Sequence, residues 1–170
     1  MEGAELLIQL TPVNREDYRS SGMEEIEFLL ATNPGQPHKM LAKIASGGEL
    51  SRVSLAIQVV AASHSKIPTL VFDEVDVGIG GSTADIVGQL LKQLGERGQV
   101  ISVTHQPQVA AHAHHHYRAS KVIEDNNAES LMSPLDHQQR VAELARMLGG
   151  AKITDQTVSH ASELLSLASS

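Results

Sequence analysis

The chain has 170 residues and a formal net charge of −7, and 41% of its residues are hydrophobic although only 2% are aromatic. This length and apolar content support one folded domain with a core of aliphatic side chains. The absence of cysteine excludes disulfides and thiolate metal sites, and it fits a reducing cytoplasm. The excess of acidic residues gives no general positive charge for binding DNA. The sequence shows neither a membrane span nor a signal peptide.

Two strands are predicted near the start of the chain, over 5–10 and 26–30. A polar loop over 14–22 separates them. Residues 32–37 include two prolines and a glycine, which predict a second loop.

The octapeptide Ala-Ser-Gly-Gly-Glu-Leu-Ser-Arg around Ser46 predicts the beginning of a helix. Ser46 and Glu49 are spaced as a capping box, in which each side chain bonds the backbone N–H of the other residue. The dense apolar positions that follow extend the helix to about Ser63. Gly47 and Gly48 let an anion approach the free N–H groups, where the helix dipole favours negative charge. An ordinary capped helix without a ligand is the alternative.

A short buried strand is predicted over 69–72, because four apolar or β-branched residues follow a proline. Asp73 and Glu74 come directly after it, at the carboxyl end where ligands bind in open α/β sheets. Such a pair suits Mg²⁺-dependent hydrolysis, in which Asp73 holds the metal through water and Glu74 polarises an attacking water. The alternative is a solvated Asp-Glu step that opens a loop.

A second buried strand is predicted over 99–104, followed by His105, with Pro107 placed to open a helix. His105 is therefore expected at the same rim of the sheet as Asp73 and Glu74. From there an imidazole can hydrogen-bond a terminal phosphate or the attacking water. A satisfied structural histidine is the alternative.

The other elements are predicted from caps and apolar periodicity. Ser82 is expected to cap a helix that ends near Gly95 or Gly98. The histidines of the 112–116 segment are expected to be exposed, without a native metal, because adjacent side chains point in different directions. Further predictions are a short helix over 107–113, strands near 116–120 and 130–135 with a polar turn between them, and helices near 140–148 and 155–168.

Two familiar nucleotide-binding loops are absent from the sequence. There is no G-x-x-x-x-G-K-[ST] segment, and a G-x-G-x-x-G pattern is not completed after Gly78 because residue 83 is Thr. The sequence therefore holds one side of a nucleotide site without the other, and a dinucleotide fold is not supported.

Four features resemble motifs of the ATP-binding-cassette ATPases. Residues 45–52 resemble their signature motif, residues 69–74 their Walker B strand, Asp76 their D-loop and His105 their switch histidine. Within that superfamily the chain is similar to the RecN family of bacterial double-strand-break repair ATPases, which are related to the structural-maintenance-of-chromosomes (SMC) proteins. That similarity rests on four segments in order, 31–36, 72–81, 104–110 and 143–150.

The resemblance implies both a fold and a set of roles. The fold is α/β, the C-terminal lobe of an ABC/SMC-type ATPase head with a mostly parallel sheet flanked by helices. Residues 1–170 are then a single domain, with the P-loop lobe and the coiled coil absent. Two heads sandwich two ATP molecules, so that the signature motif of one closes on nucleotide held by the other. By this resemblance Ser46, Gly47, Gly48 and Glu49 bind the nucleotide in trans, Asp73 serves Mg²⁺, Glu74 is the general base, Asp76 communicates across the dimer and His105 senses the γ-phosphate.

The implied partners are the N-terminal P-loop lobe of the same protein, a second copy of the head, ATP and Mg²⁺. DNA is expected to bind the full-length protein, and this lobe weakly or not at all; no membrane is implied, and the location is the bacterial cytoplasm at the nucleoid. The full-length protein is expected to be an ATPase, and the isolated chain inactive for lack of a P-loop. The alternative is a non-catalytic docking or dimerisation module of an SMC-like assembly, which has no need of Glu74.

Overall fold

The computed structural model describes residues 3–20, 22–43, 47–63, 67–73, 76–124, 127–150 and 152–169. The chain divides into two compact units, with the boundary between Leu50 and Ser51. Each unit has strands of its own. That the whole chain acts as one domain stays a prediction.

The first unit is a small antiparallel sheet. It consists of β1 (Glu5–Pro12), β2 (Glu24–Ala31) and β3 (Lys39–Met40) in the order β1-β2-β3, with 3-10 turns over Arg15–Asp17 and Leu41–Lys43. Both predicted strands are confirmed, and each is longer than expected. Because side chains alternate along β1, the exposed Leu6 and Leu7 place apolar surface on both faces of the sheet.

The second unit is built around one parallel strand pair. Helix α1 (Gly47–Ser63) crosses the boundary into this unit, and strands β4 (Thr69–Phe72) and β5 (Gln99–Ser102) follow it. The two strands pair in parallel, with Phe72 opposite Ser102, because helix α2 (Gly81–Gly95) crosses over between them. The first core lies against these elements and contains Leu55, Val59, Phe72, Ile79, Ala84, Val87, Leu91, Leu94 and Val109.

A second core joins three helices. These are α3 (Pro107–Ala111), α4 (His137–Gly149) and α5 (Asp155–Ser169). Alanines supply much of the contact, which lets the helices approach closely around Leu144 and Leu165. The alanines are Ala110, Ala111, Ala145, Ala161 and Ala168.

An antiparallel hairpin precedes α4. It is formed by β6 (Tyr117–Glu124) and β7 (Asn127–Pro134), which pair along their whole length. Asp136 then caps α4 in a capping box with Gln139, with distances of 2.8 Å and 2.9 Å. The Asp-x-x-Gln spacing indicates this cap, although the helix was predicted to begin only near residue 140.

The prediction of a mostly parallel sheet was wrong for the part of the chain that the structure describes. Only β4 and β5 are parallel, whereas the β1-β2-β3 sheet and the β6-β7 hairpin are antiparallel. A parallel pair needs a long crossover such as α2, and the connections within the other two sheets are not helical crossovers. The predicted cap of α2 was also wrong, since the helix begins at Gly81 with Gly80 as N-cap and Ser82 lies within the first turn. In the described ranges, no helix is long and apolar enough to cross a membrane.

We expect Leu144→Ala to lower the free energy of unfolding by about 2–5 kcal/mol, because it empties a fully buried position between α3, α4 and α5. Chemical denaturation followed by circular dichroism measures this loss. Leu167→Ala on the exposed side of α5 makes the same chemical change and should cost less than about 0.5 kcal/mol. Equal losses at the two positions would contradict the assigned core.

Candidate functional site

The carboxyl ends of β4 and β5 form one edge of the parallel pair. Asp73 is exposed directly after β4, and the backbone N–H of Val103 donates to the carbonyl of Phe72 at 2.9 Å, so the strands remain joined beyond β5. The segments that carry Asp73 and His105 therefore leave the sheet at the same edge. Ligands of open α/β sheets bind at edges of this kind.

Asp76 connects the two segments through its side chain. Its carboxylate is fully buried, and Oδ2 accepts hydrogen bonds from the Thr104 hydroxyl, from the His105 N–H at 3.0 Å and from the Gln106 N–H at 3.1 Å. The Asp76 carbonyl also closes a turn by accepting from the N–H of Ile79 at 3.2 Å. A buried carboxylate is costly unless it is hydrogen-bonded, so these donors fix the 104–106 loop against the turn after β4.

The His105 ring projects from this loop and is 65% exposed. Its Nδ1 lies 3.3 Å from Asp76 Oδ1, and its Nε2 lies 3.4 Å from the side-chain nitrogen of Gln106. The same Gln106 nitrogen donates to the Ile79 carbonyl at 2.9 Å. The ring is thus anchored at its base while its outer part remains accessible from solvent.

Of the other predicted site residues, the structure describes some and not others. Gly47, Gly48 and Glu49 form the first turn of α1, as predicted for a helix beginning there. Ser46 and Glu74 lie outside the described residues, so the capping box and the general base stay predictions. The roles of Asp73, Asp76 and His105 toward nucleotide also stay predictions.

The structural roles of Thr104 and Gln106 were not predicted from the sequence. Both side chains hold the loop around His105, Thr104 by donating to Asp76 and Gln106 by donating to Ile79. The only available signal was that hydrogen-bonding side chains flank the histidine on both sides. Their partners lie 27 and 28 residues earlier in the chain and are brought close by the parallel pairing.

The prediction that the histidines of the 112–116 segment are exposed was wrong for His116, which is half-buried, and for His112. The ring of His112 is buried, and Nε2 lies 2.7 Å from Oδ1 of Asp85 on α2. Gly88 makes room for the ring, since a Cβ at that position would lie 2.5 Å from His112 Cδ2. Within the described part of the chain, no group of three or more potential ligands could hold a metal ion.

A second polar cluster surrounds Glu143 on α4. The carboxylate is buried, and Arg146 donates to both of its oxygens at 2.6–3.0 Å, while Arg118 on β6 approaches to 3.8 Å. The hydrogen bonds from Arg146 lower the pKa of Glu143. Burial lowers the pKa of His116, and the charge of Arg140 lowers it further. Both groups bind more protons in the unfolded chain, so the folded chain loses stability in acid.

We expect Arg146→Ala to lower the free energy of unfolding by about 2 kcal/mol at neutral pH, because it leaves a buried carboxylate without its closest donor. The contribution of Glu143 is present above its usual pKa of about 4.5 and is lost as the pH falls through the lowered pKa of the folded chain. The difference between wild type and variant should therefore shrink in acid. Denaturation curves across this pH range provide the measurement.

Arg118→Ala is the matched control, because the Arg118 side chain is exposed and lies 3.8 Å from the carboxylate, so it should contribute less than about 1 kcal/mol. A difference between wild type and Arg146→Ala that stays constant down to the lowest pH would show that the ion pair does not stabilise the helix.

Comparisons with known proteins connect this chain to two groups. It is 56% identical over 165 residues to the DNA repair protein RecN of Xylella fastidiosa strain 9a5c, covering 97% of the chain and 30% of the relative. It is 51% identical over 167 residues to RecN of Haemophilus influenzae, covering 98% of the chain and 30% of that protein. The chain therefore spans about 30% of the length of these relatives. No family model matches it.

Two solved structures share its fold. One is a chain described under ATP-driven dimerization and DNA stimulated activation of SMC ATPases, with a TM-score of 0.64, 20% identity, and coverage of 86% of this chain and 83% of that one. The other is the Smc head domain with a coiled coil and joint from Pyrococcus yayanosii, with a TM-score of 0.64, 22% identity, and coverage of 84% and 26%. The chain thus has the α/β fold found in SMC heads.

Proposed function

Because this chain belongs to the RecN family, we propose that it is the C-terminal half of the ATP-binding head of a DNA repair ATPase. The observation that carries the proposal is the strand edge at which Asp73 follows β4 and Asp76 contacts His105 after β5. Carboxylates and a histidine at the carboxyl ends of parallel strands are suited to nucleotide hydrolysis. The sequence lacks a P-loop, so the phosphates must be held by another part of the protein.

One face of the β4-β5 strand pair is apolar and exposed, which supports a nucleotide site shared between this chain and another part of the protein. Phe72 faces the first core, whereas Val71 and Ile101 lie opposite each other on the other face and are 66% and 47% exposed. Val103 continues the same apolar surface and is 55% exposed. Parallel strands are normally covered on both faces, and the chain spans about 30% of its relatives' length. We therefore assign this face to the N-terminal P-loop lobe of the same protein.

The proposed roles follow the sequence motifs. The first turn of α1 presents the backbone N–H groups of Gly47 and Gly48, which have no partner within the helix and suit the γ-phosphate of ATP held by a second head in trans. Asp73 is an exposed carboxylate, which fits Mg²⁺ because that ion takes one or two carboxylates together with waters and substrate phosphates. When bound, Mg²⁺ would neutralise the charge of the phosphates. Glu74 would act as the general base, and His105 would sense the γ-phosphate.

The acidic charge of the chain bears on the proposed link to DNA. A net charge of −7 disfavours contact with a phosphate backbone. DNA contacts of the full-length protein are therefore assigned to its other parts or to a surface formed by closure of two heads. In this arrangement the chain contributes hydrolysis and head dimerisation to double-strand-break repair, and DNA binding is secondary for this lobe.

We expect Glu74→Gln in the full-length protein to reduce ATP turnover by about 100-fold or more, because general base catalysis contributes on that scale, while ATP binding is retained. Steady-state phosphate release and equilibrium nucleotide binding are the two measurements. Glu163→Gln makes the same change at an exposed position of α5 and should leave both unchanged.

Full turnover in Glu74→Gln would refute the assigned base. That result would favour the alternative of a non-catalytic docking or dimerisation module, since such a module does not need a carboxylate beside the metal ligand.

A further inference from the structure

The two oxygens of the buried Asp76 carboxylate have unequal surroundings. All three donors from Thr104, His105 and Gln106 converge on Oδ2. Oδ1 is also buried, and among the described residues it accepts no hydrogen bond of good geometry. Nδ1 of the His105 ring lies 3.3 Å from Oδ1. A protonated Nδ1 offers this buried oxygen a donor, whereas an unprotonated Nδ1 would leave two acceptors facing each other.

The opposite end of the ring points to the same protonation state. Gln106 donates from its side-chain nitrogen to the Ile79 carbonyl at 2.9 Å, and because a carbonyl can only accept, this bond fixes which end of the amide is nitrogen. The same nitrogen lies 3.4 Å from His105 Nε2. An amide N–H can only donate, so Nε2 at this contact must be an acceptor without a proton.

We propose that Asp76 and Gln106 are positioning residues that hold the neutral His105 ring in its Nδ1–H tautomer, with Nε2 left as an acceptor at the exposed end. The tautomer of a histidine is set by the hydrogen bond that its other nitrogen makes. Asp76 supplies that bond from the buried side, and Gln106 orients the ring from the solvent side. The functional meaning rests on the proposed nucleotide role of His105.

The tautomer determines what the His105 ring can do at the strand edge. An unprotonated Nε2 can accept a hydrogen bond from water or take a proton from it. It can donate to a phosphate oxygen only after it has gained a proton, because a phosphate oxygen offers none. Contact with a γ-phosphate therefore requires a proton at Nε2 and displacement of the Gln106 amide. Asp76 thereby couples the buried turn after β4 to the state of the ring.

Nuclear magnetic resonance of the ¹⁵N-labelled chain tests the tautomer directly. Long-range ¹H–¹⁵N correlation at about pH 8.5 observes neutral imidazoles, since the ordinary histidine pKa is about 6.5. The chain has nine histidines, and the His105 signals are those lost in His105→Gln. We expect a protonated Nδ1 and an unprotonated Nε2. A predominant Nε2–H pattern, or one average of both tautomers, would overturn the proposal.

Three variants then separate the contributions of Asp76, Gln106 and Thr104 to the tautomer of His105. Asp76→Asn keeps the shape of the side chain but removes the charge at Oδ1, and it should shift His105 toward the Nε2–H tautomer. Gln106→Met removes the donor to Nε2, and it should change the Nε2 chemical shift while Nδ1 stays protonated. Thr104→Val is the control, because the Thr104 hydroxyl bonds Oδ2 and the Gln106 backbone but has no bond to Oδ1 or to the His105 ring, so the tautomer should stay unchanged.

Each variant also has a contradicting result. A tautomer unchanged in a folded Asp76→Asn chain would remove Asp76 from the role, and an unchanged Nε2 signal in Gln106→Met would remove Gln106. The wild-type spectrum decides the proposal even if Asp76→Asn does not fold. The spectra need no nucleotide, so they are independent of the turnover of Glu74→Gln. The proposed tautomer can therefore be wrong while the proposed ATPase role is right, and the reverse.

Discussion

The buried carboxylate of Asp76 is the constraint on which the candidate site depends. Burial of a charge costs several kcal/mol unless hydrogen bonds compensate, and among the described residues the donors to this carboxylate come from Thr104, His105 and Gln106. One side chain therefore joins the turn after β4 to the loop after β5. The parallel register of the two strands brings these segments together, and Asp76 then fixes the base of the His105 ring.

The rest of the second unit supports that edge. Helix α2 covers one face of β4 and β5 and forms the crossover that makes them parallel, while α3 continues from the His105 loop into the packing of α4 and α5. The opposite face of the strand pair remains apolar and exposed at Val71 and Ile101. The first unit likewise exposes apolar side chains on both faces of β1. Exposed apolar surfaces of this kind are characteristic of sites that bind other protein surfaces.

Local structure was predictable from the sequence where one local signal dominates. The apolar residues of β4, the glycines at the start of α1 and the proline that opens α3 each indicate an element within a few positions. Contacts that depend on distant pairing were not predictable. Asp76 meets the 104–106 loop across 28 to 30 residues, and the burial of His112 depends on the space that Gly88 leaves on α2. The prediction of a mostly parallel sheet was wrong because, in the ranges that the structure describes, two of the three sheets are antiparallel.

We propose that this strand edge is half of a composite ATP site. Calorimetric titration of ATP with Mg²⁺ tests it most directly, first into the chain alone and then into the chain combined with the P-loop part of the same protein. We expect negligible binding to the chain alone, because its sequence has no P-loop to hold the β- and γ-phosphates, and clear binding once the two parts are combined. Micromolar binding by the isolated chain would contradict it.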